Sequence, residues 1–384
     1  MRIYIYQPRC SYYVGGGEVV PLEQAGFLNK LGYDVTLITT NVPTMQKSNL
    51  FKRFIQENKT VNIEYINIEP ELFKIYDIRP GMNQFRWDLE SLYVGLLARD
   101  LIKSLIGKED ICAVHYVTDL IGVPYNANYV LHLHGYPENL SYLDKLVTYN
   151  RKNLLAVSNL ISEKWKNMLK ESNGEYAIEV IYNGIDTSRF YPKPVRKKYD
   201  AGYIGRLIEI KGIQYIIEAI KILRDEHAFK MSFAIAGTGP YENELKALVK
   251  KYDLKDSITF LGYLSDENLN DFYNSLYFTV LPSYRREGVL TTLLESSACG
   301  IPAISTLGTS MAEFINNNEN GILVKPEHSR ELARAIKKLK YDEKERLKLG
   351  QNAYSTVKQN WQWESQAERL SRFYNKVVNE NVYE

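Results

Sequence analysis

Short apolar runs alternate along this chain with longer stretches in which apolar residues recur every three or four positions. The runs predict buried strands, and the longer stretches predict helices. In the first half, helices are predicted at 18–31 and 89–106. The predicted strands there are 2–6, 33–40, 62–68, 111–117, 129–135, 153–159 and 178–186. Alternating strands and helices are typical of a doubly wound parallel sheet.

The same alternation restarts after residues 187–198, which are rich in proline and charge. Helices are predicted at 212–226, 241–252, 266–274, 291–299 and 328–339. The predicted strands are 200–207, 231–237, 257–262, 277–282, 302–307 and 320–326. We therefore expect α/β domains at 1–186 and 199–360, a linker at 187–198, and a final segment, 361–384, that carries a helix at about 363–379.

The composition narrows the class of protein. Hydrophobic residues make up 45% and charged residues 24%, which are globular values, and the net charge is +2. Because neither half has a strong basic excess, we expect no nucleic-acid partner. The three cysteines are far apart, which argues against a disulfide framework or a zinc site. No apolar run is long enough to span a bilayer and the N-terminus lacks the form of a signal peptide, so we expect a cytoplasmic protein.

One segment carries two glutamates at a predicted strand-to-helix junction. The strand 277–282 runs into a polar loop with Glu287, and a helix predicted from Thr291 carries Glu295. Unpaired N–H groups at a helix start, here those of Leu290, Thr291 and Thr292, suit a phosphate. Carboxylates can accept hydrogen bonds from hydroxyl groups. Together these features suit a nucleotide sugar, but spacing alone equally allows an ordinary loop and helix with two surface glutamates.

The segment resembles the E-x7-E signature of retaining glycosyltransferases of the GT-B fold, especially family GT4. The family pattern is P-S-x-x-E-x-F-G-x-x-x-x-E-A-x-A-x-G-x-P-V-I. Its matched positions are Pro282, Ser283, Glu287, Glu295, Ala298, Gly300, Pro302 and Ile304. The chain departs at Val289 and Leu290, where the pattern has Phe-Gly, and at Ser296, where it has Ala. The missing glycine places a bulkier residue beside the expected donor phosphates.

Two cations follow the first strand of the second domain in the sequence GRLIEIKG (205–212). Arg206 and Lys211 could neutralise a leaving diphosphate, although an isolated pair with this spacing is usually two solvated surface charges. The stretch resembles the family pattern G-R-x-x-x-x-K-G, which implies phosphate binding by both. The family holds the nucleotide base by backbone contacts at the position of Tyr263 and Leu264.

The first domain offers weaker signals. Gly15, Gly16 and Gly17 follow the first strand and form either a tight turn or a loop whose backbone approaches the donor or acceptor. A glycine-rich loop in this position approaches the substrate in GT4 enzymes. His134 ends a strand, and a histidine there is usually structural. In the family a histidine at this point lies near the transferred sugar, and His132 on the same face is an alternative.

The resemblance implies a GT-B fold, with two Rossmann-like domains that face a cleft, and a last helix that crosses back onto the first domain. It implies donor binding by the second domain and acceptor binding by the first. The expected reaction is retaining transfer of a sugar from a UDP- or GDP-sugar to a hydroxyl group. Glu287 would contact the sugar hydroxyls, Glu295 the ribose, and Arg206 and Lys211 the leaving diphosphate. No Asp-x-Asp lies between two apolar strands, so we expect no metal or other cofactor.

Two other classes remain open: a GT-B epimerase that acts on a nucleotide sugar, and a non-enzymatic protein that binds one. For a transferase, the family favours a saccharide or lipid-linked acceptor in the synthesis of a cell-surface polysaccharide or glycan. A lipid-linked acceptor predicts peripheral contact with the inner face of the membrane. The candidate contacts are Lys47, Lys52, Arg53, Lys59, Leu50, Phe51 and Phe54. An ordinary amphipathic helix is the alternative interpretation of that stretch.

Overall fold

The computed structural model describes residues 1–69, 84–137, 145, 148, 152–170, 177–227, 229–285 and 287–382. The chain divides into two compact units. The first comprises Met1–Asn183 together with Trp363–Glu384, and the second comprises Gly184–Gln362. Each has its own parallel sheet. None of the helices in the described ranges is long and apolar enough to cross a membrane.

The first unit is built on a seven-stranded sheet in the order β3-β2-β1-β4-β5-β6-β7. Its strands are β1 Ile3–Tyr6, β2 Val35–Asn41, β3 Asn62–Asn67, β4 Ile111–Val114, β5 Tyr129–Leu133, β6 Leu154–Ala156 and β7 Ile178–Val180. The helices of this unit that precede the second unit in the sequence are α1 Gly16–Lys30, α2 Asn49–Glu57, α3 Gln84–Leu105 and α4 Asn159–Lys170. All strand pairs are parallel. Strand β1 is buried along its whole length, as a central parallel strand covered on both faces must be.

The second unit is built on a six-stranded parallel sheet in the order β10-β9-β8-β11-β12-β13. Its strands are β8 Tyr199–Ile204, β9 Phe233–Ala236, β10 Ile258–Gly262, β11 Leu276–Leu281, β12 Ala303–Thr306 and β13 Ile322–Val324. Its helices are α5 Ile213–His227, α6 Glu242–Lys251, α7 Leu269–Asn274, α8 Thr291–Ala298, α9 Ser329–Tyr341 and α10 Glu343–Asn360. The expectation of two Rossmann-like parallel-sheet domains is therefore confirmed.

Both sheets reverse their strand order at one place, between β1 and β4 in the first unit and between β8 and β11 in the second. At such a switch point the loops after the carboxyl ends of the two strands diverge and leave a crevice in which ligands bind. In the second unit, Arg206 and Lys211 follow β8 and Glu287 follows β11. In the first unit, Gly15 follows β1, whereas His134 follows β5, the strand beside β4. The topology therefore indicates one candidate region near the switch point of each unit.

The final helix, α11 Trp363–Val382, packs within the first unit. Its Trp363, Leu370 and Tyr374 are buried in the same core cluster as residues of β1, α1 and α2. The Trp363 ring lies 6.3 Å from the ring of Phe27 on α1. Full burial of a large apolar side chain stabilises a fold by roughly 1.5–3 kcal/mol, so this face of α11 anchors the chain end firmly.

Helix α2 contradicts the predicted membrane contact. Its Leu50, Phe51 and Phe54 are only 4%, 0% and 5% exposed, because they fill the core of the first unit. The Lys47 ammonium group before the helix lies 3.9 Å from the centroid of the Tyr65 ring. The prediction that these apolar side chains contact a membrane is therefore wrong, and the alternative of an ordinary amphipathic helix describes α2.

The stretch predicted as a linker packs against the second unit. Arg189 forms an ion pair with Asp266 at 2.7 Å, and Lys193 forms one with Asp271 at 2.6 Å. Phe190 between them is only 3% exposed. These contacts tie residues 189–193 to the region of α7, so this part of the stretch belongs to the folded unit.

Candidate functional site

In the second unit, backbone hydrogen bonds join the loops after three neighbouring strands. The Gly205 N–H donates to the Ala236 carbonyl at 3.2 Å, and the Gly237 N–H donates to the Gly262 carbonyl at 2.7 Å. Gly237 has a φ of +120°, and a Cβ there would lie 1.9 Å from the Gly205 carbonyl oxygen. Only glycine fits so close an approach. The loop that carries Arg206 is therefore held in a fixed position at the switch point.

Lys211 and Glu287 meet across this switch point. Lys211 ends a short 3₁₀ turn, Glu209–Lys211, after β8, and Glu287 lies in the loop after β11. The Lys211 ammonium group donates to Oε1 of Glu287, and the Ser283 hydroxyl donates to Oε2. The Lys211 and Glu287 side chains are 13% and 21% exposed. The pair is thus mostly shielded, yet both groups keep hydrogen-bonding capacity for a ligand.

Arg206 lies beside this pair. Its backbone carbonyl accepts a hydrogen bond from the buried Tyr203 hydroxyl at 3.0 Å. Burial, followed by the negative charge of Glu287, raises the pKa of Tyr203 well above its ordinary value, whereas the charge of Arg206 lowers it. The charges of Arg206 and Glu287 therefore both act on Tyr203, which places the two side chains close to each other. The Arg206 side chain is exposed and forms no ion pair with any residue that the structure describes, which leaves its guanidinium available to an anion.

Glu295 occupies the second turn of α8. The buried Tyr273 hydroxyl donates to its Oε2 at 2.5 Å. Burial and then the Glu295 charge raise the pKa of Tyr273 well above its ordinary value, so this phenol stays protonated and remains a donor. Tyr273 thereby fixes the carboxylate. Because each carboxylate oxygen carries two lone pairs, Glu295 can still accept hydrogen bonds from a ligand.

The start of α8 differs from what the sequence suggests in one respect. Leu290 is the N-cap residue, and its N–H donates to Met311 Sδ at 3.5 Å. Thr291 and Thr292 open the helix, and both are partly exposed. The N–H groups of a first helical turn have no intrahelical acceptor. Of the three predicted N–H donors, those of Thr291 and Thr292 therefore fit an anion better than that of Leu290.

The two residues that depart from the family pattern, Val289 and Leu290, differ in burial. Val289 is only 4% exposed and fills part of the core, whereas Leu290 is partly exposed beside the helix start. Tyr263 and Leu264 follow β10, and Tyr263 is 57% exposed. Their predicted contact with a nucleotide base stays a prediction.

In the first unit the glycine triplet does not form the predicted loop. Helix α1 begins at Gly16, earlier than predicted, and Gly15 is its N-cap. A Cβ at Gly17 would lie 2.1 Å from the Tyr116 hydroxyl, whereas a Cβ at Gly16 would meet no atom within 4 Å. Gly17 is therefore required for packing, and Gly16 is the position open to an approaching ligand.

A buried charge cluster supports Tyr116. Arg9 Nε lies 2.7 Å from a Glu90 oxygen, and Nη1 lies 3.0 Å from an Asp119 oxygen. All three side chains are at most 1% exposed. The Arg9 guanidinium lies 5.5 Å from the centroid of the Tyr116 ring. Burial raises the pKa of Asp119, and the Arg9 charge opposes that rise. The cluster thus fixes the ring that packs on Gly17.

Three histidines lie together after the ends of β4 and within and after β5. His115 Nδ1 and His134 Nε2 are 3.0 Å apart, and His132 Nε2 lies 2.8 Å from the Tyr374 hydroxyl of α11. His115 and His132 are 1% exposed, while His134 is partly exposed. Burial lowers the pKa of all three, that of His134 to about 4, and mutual repulsion adds to the effect for His115 and His132. All three are therefore neutral near pH 7. Of the two histidines that the sequence offers, His134 is the accessible one.

Sequence reasoning missed several residues that support these sites. Four of them hold predicted residues in place but belong to no recognisable motif: Tyr203, Tyr273, His115 and Tyr374. Ser283 did match the family pattern, and its hydrogen bond to Glu287 explains why a hydroxyl is suited there. Tyr203 donates to a carbonyl only three residues away, in a contact that belongs to no motif. The partners of Tyr273, His115 and Tyr374 lie 19 to 242 positions away, so only the fold reveals those contacts.

Comparison with known proteins agrees with this architecture. The family model described as Glycosyltransferase Family 4 matches residues 14–189, and the model described as Glycosyl transferases group 1 matches residues 185–356. A putative colanic acid biosynthesis glycosyltransferase, WcaL of Escherichia coli K12, is 30% identical over 185 residues. The match covers 46% of this chain and 45% of that relative, so the chain spans about half of the relative's length.

Solved structures share the fold. Sucrose-phosphate synthase from Thermosynechococcus elongatus has a TM-score of 0.79 at 18% identity, covering 99% of this chain and 100% of that one. HepE from Anabaena, in complex with UDP-glucose, has a TM-score of 0.74 at 17% identity, covering 98% and 100%. The two family models together extend from residue 14 to residue 356. The chain therefore belongs to the group 1 glycosyltransferases of the GT4 type and has the GT-B fold.

Proposed function

We propose that this protein is a retaining, metal-independent glycosyltransferase that moves a sugar from a nucleoside diphosphate sugar to a hydroxyl acceptor. The observation that carries the proposal is the meeting of Lys211, Glu287 and Ser283 at the switch point of the second unit, with exposed Arg206 beside them. This arrangement offers cations for a diphosphate and a carboxylate for sugar hydroxyls within one small region.

The cations act on the leaving group. As the bond between the anomeric carbon and the diphosphate oxygen breaks, negative charge grows on that oxygen. Arg206 and Lys211 stabilise this charge, and the N–H groups of Thr291 and Thr292 add donors at a helix start. In a partly shielded site such donors need little reorganisation. The same cations supply the positive charge that a divalent metal would otherwise bring.

The carboxylates position the donor. Glu287 accepts hydrogen bonds from the sugar hydroxyls, and Glu295 accepts them from the ribose. Both are held by donors of the protein itself, Glu287 by Lys211 and Ser283, and Glu295 by Tyr273. A carboxylate that already accepts hydrogen bonds on both oxygens is a weak nucleophile. Glu287 is therefore suited to binding and not to forming a covalent glycosyl intermediate.

Retention follows from reaction on one face of the sugar. The acceptor oxygen forms its bond to the anomeric carbon on the side that the diphosphate leaves. The acceptor proton passes to the departing diphosphate oxygen, so no separate base is needed. The first unit would supply the acceptor site, with Gly16 and His134 as candidate contacts. By family, the acceptor is a saccharide or lipid-linked glycan of a cell-surface polysaccharide.

The test is a panel of UDP- and GDP-sugars incubated with the protein in EDTA, with water as the acceptor. ¹H NMR identifies the anomer of the released sugar before it equilibrates. Release of one sugar with its donor's anomeric configuration supports the proposal. Turnover that requires a metal would overturn metal independence, and inversion would overturn retention. Conversion to an epimeric sugar would identify an epimerase instead.

A further inference from the structure

The bond between His115 and His134 has a direction that the structure allows us to assign. Their rings lie edge to edge, with centroids 5.3 Å apart, an interplanar angle of 24° and 3.0 Å between Nδ1 of His115 and Nε2 of His134. Both rings are neutral, so each carries one proton on one nitrogen. Either His115 donates and His134 accepts, or the reverse.

The buried side of His115 distinguishes the two cases. Its Nε2 is buried and has no hydrogen-bond partner among the residues described. If His115 accepted at Nδ1, its proton would be on Nε2 and would form a buried N–H without an acceptor. If His115 donates from Nδ1, Nε2 carries only a lone pair. Buried N–H groups without an acceptor are rarer than acceptors without a donor, because an unsatisfied donor is costly. Donation by His115 from Nδ1 to Nε2 of His134 is therefore favoured.

A shared metal ion is a different use of three histidines, and one nitrogen of each lies within 4.8 Å of the others. The ring orientations argue against it. His132 and His115 are stacked face to face, with centroids 4.4 Å apart and an angle of 28°. A ring nitrogen binds a metal in the plane of its ring, so two stacked rings cannot both direct a lone pair at one ion without turning. The cluster is better described as hydrogen-bonded.

We propose that His115 is a positioning residue that donates its Nδ1 proton to His134 and so holds the proton of His134 on Nδ1. His134 then presents a neutral N–H donor to an oxygen of the substrate, a sugar hydroxyl or a phosphate oxygen, and does not act as a base. The identity of the substrate rests on the proposed function, whereas the proton position does not.

The direct test is ¹⁵N NMR of the full chain with labelled histidine at pH 7, because the two ring nitrogens have distinct shifts in each tautomer. Loss of signals in His134→Asn and His115→Asn assigns the two residues. We expect the Nδ1–H form for both in the unmodified protein. A signal for His134 with its proton on Nε2, or a charged ring, would overturn the proposal.

Variants then connect the tautomer to turnover. His115→Leu removes the donor, so His134 should shift toward the Nε2–H form and kcat should fall about tenfold with little change in KM. His115→Asn can donate from its amide near the place of Nδ1 and should retain the tautomer and most of the turnover. His132→Asn, the matched control, removes the stacked ring but not the bond and should leave the tautomer of His134 unchanged.

The outcomes separate the two proposals. If no nucleotide sugar is turned over but His134 carries its proton on Nδ1, the proposed function fails and the proton assignment stands. If turnover occurs and His115→Leu leaves both the tautomer and kcat unchanged, His115 has no positioning role. The unmodified protein alone decides the tautomer, so a variant that fails to fold does not prevent the test.

Discussion

Both units carry candidate residues near the switch point of a parallel sheet, but the side chains differ in charge. At the switch point of the second unit, Lys211 and Glu287 form an ion pair and Arg206 is exposed. In the first unit the cluster after β4 and β5 consists of neutral histidines, and Gly16 leaves the start of α1 open. The fold thus decides where a ligand can bind, and the loop residues decide its charge. A diphosphate requires the cations, whereas a hydroxyl acceptor does not.

The largest expected effect comes from substitutions in the ion pair between Lys211 and Glu287. Lys211→Ala removes the cation that we propose for the leaving diphosphate and leaves Glu287 without its ion-pair partner. Glu287→Gln removes the negative charge of that carboxylate. We expect each to lower kcat/KM for the donor by about 10²–10³-fold. Loss of Lys211 removes stabilisation of charge in the transition state, and loss of the Glu287 charge weakens the positioning of the donor and leaves Lys211 without its counterion. Steady-state kinetics measures this change in kcat/KM, with the donor that the panel of UDP- and GDP-sugars identifies.

Lys221→Ala is the matched control for Lys211→Ala. Lys221 pairs with Asp225 at 2.8 Å, but both side chains are about two-fifths exposed. An exposed pair contributes little, so this variant should keep full turnover and lose less than about 1 kcal/mol of stability. Equal losses in both lysine variants would show that the Lys211 effect is not specific to the site.

The glycines of the first unit allow a comparison between neighbours. Gly17→Ala should lower the free energy of unfolding by roughly 1–3 kcal/mol, because its Cβ would overlap the Tyr116 hydroxyl. Gly16→Ala meets no atom and lies in a helix, so it should be neutral or stabilising by up to about 1 kcal/mol. Chemical denaturation measures both. If Gly16→Ala nevertheless lowers turnover, the backbone there approaches the substrate; equal stability losses would contradict the packing argument.

The neutral histidines predict a loss of stability in acid. Burial lowers the pKa of His134 to about 4, whereas an unfolded histidine has a pKa of about 6.5. As the pH falls, the unfolded chain takes up this proton first, so stability is complete above about pH 6.5 and declines toward pH 4. At pH 5 the loss from His134 is at most about 2 kcal/mol. Denaturation curves at pH 7 and pH 5 should differ by less in His134→Asn; the same difference in both proteins would contradict the lowered pKa.

The smallest expected effect concerns Glu295. Tyr273→Phe removes the hydroxyl that donates to this carboxylate but keeps the buried ring. We expect KM for the donor to rise about three- to tenfold with kcat nearly unchanged, because the lost hydrogen bond contributes about 1 kcal/mol to holding the carboxylate in place. Glu295→Ala, which removes the carboxylate itself, should raise KM more. A change in kcat alone would argue that Glu295 does not bind the ribose.

The sequence indicates which candidate residues lie near one another more clearly in the second unit than in the first, for a physical reason. Arg206 and Lys211 lie close together in the sequence after β8. Glu287 and Glu295 lie on either side of the first residue of α8. Each pair is therefore visible as a local pattern. The first unit's cluster depends on contacts between distant residues. His132 meets Tyr374, 242 positions away, because α11 returns to the first unit. No local spacing can show such a contact.

Helix prediction failed where the pattern was interrupted. Helix α10 carries few apolar residues and has Gly350 in its interior, which usually weakens a helix. In the fold, a Cβ at Gly350 would lie 2.3 Å from the Gly300 carbonyl oxygen. The glycine thus permits close packing of α10 on the turn before β12. The reason for this residue lies in the tertiary contact and not in helix propensity.

The most direct test of the account is donor binding at the charged switch point. Isothermal titration calorimetry in EDTA would compare UDP- and GDP-linked glucose, galactose, mannose and N-acetyl sugars with the unmodified protein, Lys211→Ala and Lys221→Ala. We predict that one nucleotide sugar binds without metal, that Lys211→Ala weakens it at least tenfold, and that Lys221→Ala binds as the unmodified protein does. Absence of binding by every nucleotide sugar, or equal binding by both lysine variants, would contradict the central claim.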